Sequence, residues 1–208
     1  MYEHCWLLRL ARWRTKRDDD DDDDAMVNNI VAGTAVAAMA VSRLMRSTAF
    51  DPKRWTDRKR EVVQKSWKAL LLNGDVNSEE IGIAVFRRFF ERHPAFLQLF
   101  TFRDQPAATF FMSAQVRLHV GTVVATLSQL VDQLESVEAV EAACFKLGKR
   151  HKKYKVKRGH YKAFGEAITD TLAQMLGDKY DWETKQAWEE VMKMIFTSMQ
   201  KGAAAADS

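Results

Sequence analysis

His119 and His151 stand 32 residues apart, and each falls on the apolar stripe of a helix that the hydrophobic spacing predicts. An imidazole buried with no carboxylate beside it lacks a partner, and an unpaired polar group in an apolar setting costs roughly 1–3 kcal/mol. Two such sites on separate helices point to one shared metal, for which a neutral imidazole nitrogen is a common ligand. Taken singly, each histidine also reads as a cation favoured by a helix C-terminus.

The elements that would carry them are legible from periodicity. From Thr56 onward apolar residues recur at steps of three and four, strand-like alternation is almost missing, and only Pro94 and Pro106 interrupt the pattern. A first helix is expected over 58–72, capped by Thr56 or Asp57, with Val63, Trp67, Leu70 and Leu71 inward. A second begins near Asn77, where Asn77 and Glu80 have the offset of a capping box, and runs through Phe86, Phe89 and Phe90 to Arg92. Pro94 suits the first turn of a short helix. The third long helix, over 112–134, places Val116, Val120, Val123, Leu127, Leu130 and Leu134 on the face that His119 shares. A fourth, over 137–150, presents Val137, Val140, Cys144 and Leu147, and His151 ends that stripe. Tyr161, Phe164, Ile168, Leu172 and Met175 mark a fifth, and Asp181 caps a last helix with Trp188, Val191, Ile195 and Met199 inside. The reading is an all-α domain over 56–202, with an extension at 1–55 and a tail at 203–208.

Hydrophobic residues make up 47% of the 208, enough for a core of ordinary size, which excludes disorder of the whole chain. Two cysteines, Cys5 and Cys144, argue against a disulfide scaffold and for a reducing, cytoplasmic setting, with a Cys5–Cys144 bridge the one pairing left open. In the low-complexity extension a basic stretch containing Trp6 and Trp13 precedes seven consecutive aspartates, Asp18 to Asp24, which repel one another and stay solvated. Ile30 to Val41 is apolar, but at about a dozen residues it falls short of the ~20 that span a bilayer. Residues 26–50 lack acid and carry Arg43 and Arg46, a composition shared by mitochondrial transit peptides and plain leaders, and Met26 offers a second start. The densest basic run of the domain is Lys146, Lys149, Arg150, Lys152, Lys153, Lys155, Lys157 and Arg158. It reads first as a solvated helix end favoured by the helix dipole, and second as a docking face for an acidic redox partner or an anionic membrane. Nucleic acid fits less well, because no aromatic interleaving or recognition-helix pattern accompanies the charges.

Four anchors follow in order along the chain: Trp67 in REVVQKSWKALL, Pro94 and Phe100 in HPAFLQLF, His119 and Val123 in RLHVGTVV, and His151 in LGKRH followed by KKYKVK. On these anchors residues 58–202 resemble a globin, and within that family the neuroglobin and cytoglobin branch. The resemblance implies a globin fold of about seven to eight helices around a haem pocket, with haem b (iron protoporphyrin IX) as cofactor. It implies His151 as proximal iron ligand and His119 as distal histidine, able to be a sixth ligand. It further implies Phe100 stacked on the haem, Phe86 and Val123 over the ligand side, and Leu147 and Val156 in the pocket wall. Thr122 stands where many six-coordinate relatives carry a basic side chain, and Phe102 offers no charge, so Arg150, Lys153 and Lys155 are the expected partners of the haem propionates. Relative to that branch about four residues are added around Asn73 to Asn77, read as a longer turn. No cysteine lies between Phe100 and Met112, so the short-range disulfide of some relatives has no counterpart.

What the resemblance implies for function is reversible binding of O2 for storage, transport or sensing, with CO and NO as further ligands. His119 would either hydrogen-bond the gas or bind the iron itself, two roles that compete for one coordination site. Phe86 has no donor, so it excludes water without clamping the gas. One alternative is a bis-histidine redox protein, serving electron transfer, nitrite reduction or nitric-oxide dioxygenation, with its partner at the basic patch 146–158. Another is a haem-free helical interaction module that has kept only the packing.

Overall fold

The computed structural model describes residues 50–72 and 77–206, and over these every regular element is helical. Helix α1 (Asp57–Leu71) starts where the Thr56 hydroxyl accepts the Lys59 N–H at 3.3 Å. Helix α2 (Ser78–Arg92) opens with the expected capping box: Asn77 Oδ1 accepts from Glu80 N at 2.9 Å, and Glu80 Oε2 accepts from Asn77 N at 3.1 Å. Two 3-10 segments, Pro94–Leu99 and Ala107–Met112, lead into α3 (Ala114–Asp132). Helix α4 (Val137–Lys152) is capped by Ser136, and α5 (Arg158–Leu176) ends at Gly177, whose φ of +54° suits a residue without Cβ. Asp181 Oδ1 accepts from Thr184 N at 2.8 Å and opens the last helix, α6 (Trp182–Ala204).

The periodicity foresaw these helices, with several differences that have physical reasons. Leu71, expected inside, is 37% exposed because it closes the last turn of α1, beyond the stripe formed by Val63, Trp67 and Leu70. The third helix starts two residues later than expected, and Met112 lies exposed in the preceding 3-10 turn. The stripe on α3 is wider than one face: Val116, Val120 and Val124 are fully buried, with Val120 and Val124 against Gly82 of α2, while His119, Val123 and Leu127 border a cavity. Helix α6 runs two residues past the expected boundary at 202, and ahead of α1, Phe50 and Trp55 already pack on the core. The added residues at 73–76 and the extension at 1–49 lie outside the described residues. Among the described residues no helix is long and apolar enough to cross a membrane.

Two contacts matter most for the position of α4. Trp67 and Trp188 meet with ring centroids 5.7 Å apart; the Trp188 indole N–H donates to Ser66 and that of Trp67 to Ser128, which ties α6 to α1 and α1 to α3. Further along α6, Gly148 and Gly202 let α4 and α6 touch backbone to backbone. A Cβ at Gly148 would fall 1.9 Å from the Met199 carbonyl oxygen, and one at Gly202 would fall 2.0 Å from that of Phe145. Backbone atoms cannot swing aside, so Gly148→Ala forces the helices apart three residues before His151. We expect it to cost roughly 3 kcal/mol, read as a melting temperature lower by about 10 °C. A change within a degree of wild type would show that the pair is looser than this.

Candidate functional site

Helices α2 to α6 and the turn after Pro94 enclose a cavity of about 320 Å³, at the lower end of the ~300–1,000 Å³ typical of small-molecule and cofactor sites. Its wall is mostly apolar, with Phe86, Phe100, Phe102, Phe164, Leu147 and Ile195 prominent among the lining residues. His119 enters from α3 and His151 from the end of α4.

The two imidazoles are held differently. His151 Nδ1 lies 2.9 Å from the Leu147 carbonyl oxygen. A carbonyl only accepts, so Nδ1 carries the proton and donates, and the Nε2 lone pair is left on the other side of the ring. His119 is held by rings: Phe86 at 5.6 Å and Phe100 at 5.5 Å stand nearly perpendicular to it, and Phe102 lies at 5.3 Å. Among the described residues its nitrogens meet no hydrogen-bond partner. The Tyr161 hydroxyl, buried in the same wall, is also without one, and burial pushes its pKa up to about 12.

Burial lowers the pKa of His119, and the charge of a protonated His151 lowers it further. Burial also lowers His151; the Leu147 carbonyl opposes that shift, and Arg150 adds to it. Both rings are therefore neutral at pH 7, the form that can ligate a metal. Between their depressed folded values and the ordinary value of about 6.5, the unfolded chain takes up protons that the folded, ligand-free protein refuses. Stability is then full above that ordinary value and falls as pH drops through the window. A denaturant midpoint lower at pH 5.5 than at 7.5 is expected, with the difference reduced in the His119→Leu, His151→Leu double variant. The same difference in both proteins would assign the effect elsewhere.

Of the residues singled out from sequence, Phe86, Phe100, His119, Val123, Leu147, His151 and Val156 all line this one cavity. Arg150 and Lys155 do not: both side chains are exposed outside its lining, and Lys155 sits at φ +58° in the turn after α4. Cys144 is a free, fully buried thiol, raised to about 12 chiefly by burial, and Cys5 lies outside the described residues. Sequence reading passed over His160, which also borders the cavity. Its Nδ1 accepts the Lys157 N–H at 3.0 Å, so its proton sits on Nε2, and its ring meets Phe96 at 4.5 Å. The available signal was its place one turn before Phe164 on the α5 stripe.

Among the described residues no group of three or more His, Cys, Asp or Glu could hold a metal ion. A metal placed between His119 and His151 must therefore bring its remaining ligands with it, as an ion already seated in a flat organic ring does. The donor set, the apolar wall and the fixed tautomer of His151 fit such a group.

Comparison with known proteins gives the same direction. Neuroglobin-2 of Oncorhynchus mykiss is 27% identical over 149 residues, covering 71% of this chain and 91% of that protein. Cytoglobin-2 of Danio rerio is 26% identical over 148 residues, covering 70% and 80% respectively. A solved structure of the hexa-coordinate haemoglobin of Drosophila melanogaster, described for cyanide binding and conformational transitions of its haem cavity, superposes with a TM-score of 0.63 at 20% identity. It covers 70% of this chain and 93% of its own. The family model of the globins matches residues 83–199. With more than half of its length in that match and a helical cavity of this shape, the chain belongs to the globin family, whose members bind haem.

Proposed function

We propose that this globin holds haem b between His151 and His119 and binds O2 reversibly, with His119 as the resting sixth ligand. The observation that carries the reading is that both imidazoles line one apolar cavity, that of His151 with its lone pair fixed at Nε2 by the Leu147 carbonyl. When bound, the iron porphyrin supplies a ferrous centre with affinity for O2, CO and NO. His151 anchors it, and the Leu147 carbonyl makes its Nε2 a better donor by accepting the proton on the other nitrogen. Neutral His119, free of any competing hydrogen bond, offers either a lone pair to the metal or an N–H to an entering gas molecule. Phe86, Phe100 and Phe102 around it exclude water. At the rim, Arg150, Lys155 and the Nε2–H of His160 are the groups suited to the two carboxylates of the porphyrin. A cytoplasmic setting agrees with the sparse cysteine content.

The redox alternative draws on a separate observation, the exposed basic face that begins beside His151. One pair of measurements decides between the readings: O2 equilibrium binding and the rate of spontaneous oxidation in air. Saturable, reversible binding with oxidation much slower than gas release is expected. Oxidation faster than gas release supports electron transfer instead, and the absence of any Soret band after mixing with haem leaves only an interaction module.

A further inference from the structure

Among the residues that line the cavity, Thr101, Thr122 and Tyr154 are exposed and so mark its opening. The two lips of that opening differ in chemistry. On the α3 side the Thr122 hydroxyl donates to the Leu118 carbonyl at 2.8 Å, and Leu118, one turn earlier on the same stripe, is 74% exposed. Gln115, Leu118, Thr122 and Ala125 leave this outer face uncharged, and Arg117 beside it is paired with Glu79. On the other side Tyr154 is 54% exposed in the turn after α4, with Lys153 and Lys155 as its chain neighbours and Arg150 one turn earlier. These belong to a stretch, 142–165, that holds nine Lys and Arg and no Asp or Glu. Arg150, Lys153 and Lys155 are exposed, and none forms an ion pair with a described carboxylate. Asp104, the acid nearest the Thr101 lip in the chain, is matched by Arg103 at 3.7 Å. We propose that the mouth of the cavity docks on an anionic bilayer surface, with Leu118 and Tyr154 entering the headgroup layer and Arg150, Lys153 and Lys155 among the charged groups of the lipids.

The arrangement of these groups decides the occupant. A folded protein partner binds through a centre of packed apolar and aromatic side chains from which charge is depleted. Here the centre is the opening itself, and the exposed apolar side chains stand apart on its two lips. A bilayer needs no matching shape, because its lipids rearrange, and each Lys or Arg at an anionic surface strengthens binding about fivefold. Tyrosine, apolar along its ring and polar at its tip, suits the layer between water and hydrocarbon. Cations joined to apolar area that can be buried are the two contributions that hold a protein on such a surface. The two carboxylates of a porphyrin at the rim leave most of the nine cations unmatched, so the proposal holds whatever fills the cavity.

Co-sedimentation of the full chain with vesicles tests it, using phosphatidylcholine alone and phosphatidylcholine mixed with phosphatidylserine. Binding is expected to the mixed vesicles only, and is lost at about 1 M NaCl, where the screening length is ~3 Å. The variant Arg150→Glu, Lys153→Glu, Lys155→Glu should bind at least ~100-fold more weakly, three cations at about fivefold each. The variant Lys53→Glu, Lys68→Glu, Lys179→Glu makes the same change in net charge at exposed positions away from the mouth and should lose several-fold at most. Leu118→Asp should weaken binding several-fold, whereas Leu72→Asp, at a position 71% exposed beyond the end of α1, should not. Equal binding to both kinds of vesicle, equal loss in the two triple variants, undiminished binding by the first of them, or Leu118→Asp behaving as Leu72→Asp would each overturn the proposal. So would a chain that ignores both vesicles and is retained by an immobilised acidic protein, which would give the face to a protein partner.

Discussion

We expect His151→Ala to abolish stable haem retention while leaving the helices in place. The side chain ends α4 and is only partly buried, so truncating it removes no large piece of the core, and helical circular dichroism should match wild type. Its Nε2 is the donor fixed by the Leu147 carbonyl, and His119 lacks any equivalent support. Losing only a supporting partner of a metal ligand costs 10–100-fold in affinity, so losing the ligand itself should raise the rate of haem transfer to an acceptor protein by more than about 100-fold. Free imidazole should restore part of the retention, because it can occupy the space left by the ring. Retention equal to wild type would remove His151 from the role proposed for it.

His119→Leu has the second large effect, in the opposite direction. If His119 occupies the sixth position most of the time, a gas molecule binds only in the fraction of time that it is vacant, and apparent affinity is reduced by that fraction. Leucine keeps the apolar contact with Phe86, Phe100 and Phe102 and removes the nitrogen lone pair. For a resting occupancy of roughly 90–99% by His119, observed CO association should accelerate about 10–100-fold. CO is the suitable probe, since it gains little from a hydrogen bond donor. An unchanged rate would place His119 beside the vacant position as a donor rather than on the metal.

How far sequence reading reached can be judged from α3 and α4. Steps of three and four located both helices, and at 32 residues' separation the two histidines indeed face one cavity. Caps at Thr56, Asn77 and Asp181 were legible because each is a local contact made by a side chain within three residues of its partner. Two kinds of information were not. The stripe of α3 serves both α2 and the cavity, and a single apolar period cannot say which part faces which, so Val124 went unread beside Val123. Gly148 and Gly202 carry no pattern of their own, and their role depends on which carbonyls of the partner helix lie opposite. His160 differs from these, since its place one turn before Phe164 put it on the α5 stripe, and only the turn at Lys155 to Lys157, which sets the start of α5, turns it toward the cavity. Arg150 and Lys155 were read from charge alone, and the structure shows both exposed outside the cavity lining, where only a group reaching out of the cavity would meet them.

The most direct test of the account is the visible spectrum of the reduced, haem-reconstituted full chain before and after CO. Two opposed neutral imidazoles predict sharp, well-resolved bands of a six-coordinate ferrous haem without gas, replaced by the carbonyl spectrum when CO displaces His119. A single broad five-coordinate band before CO would contradict His119 as resting ligand, and failure to take up haem at all would contradict the haem site itself.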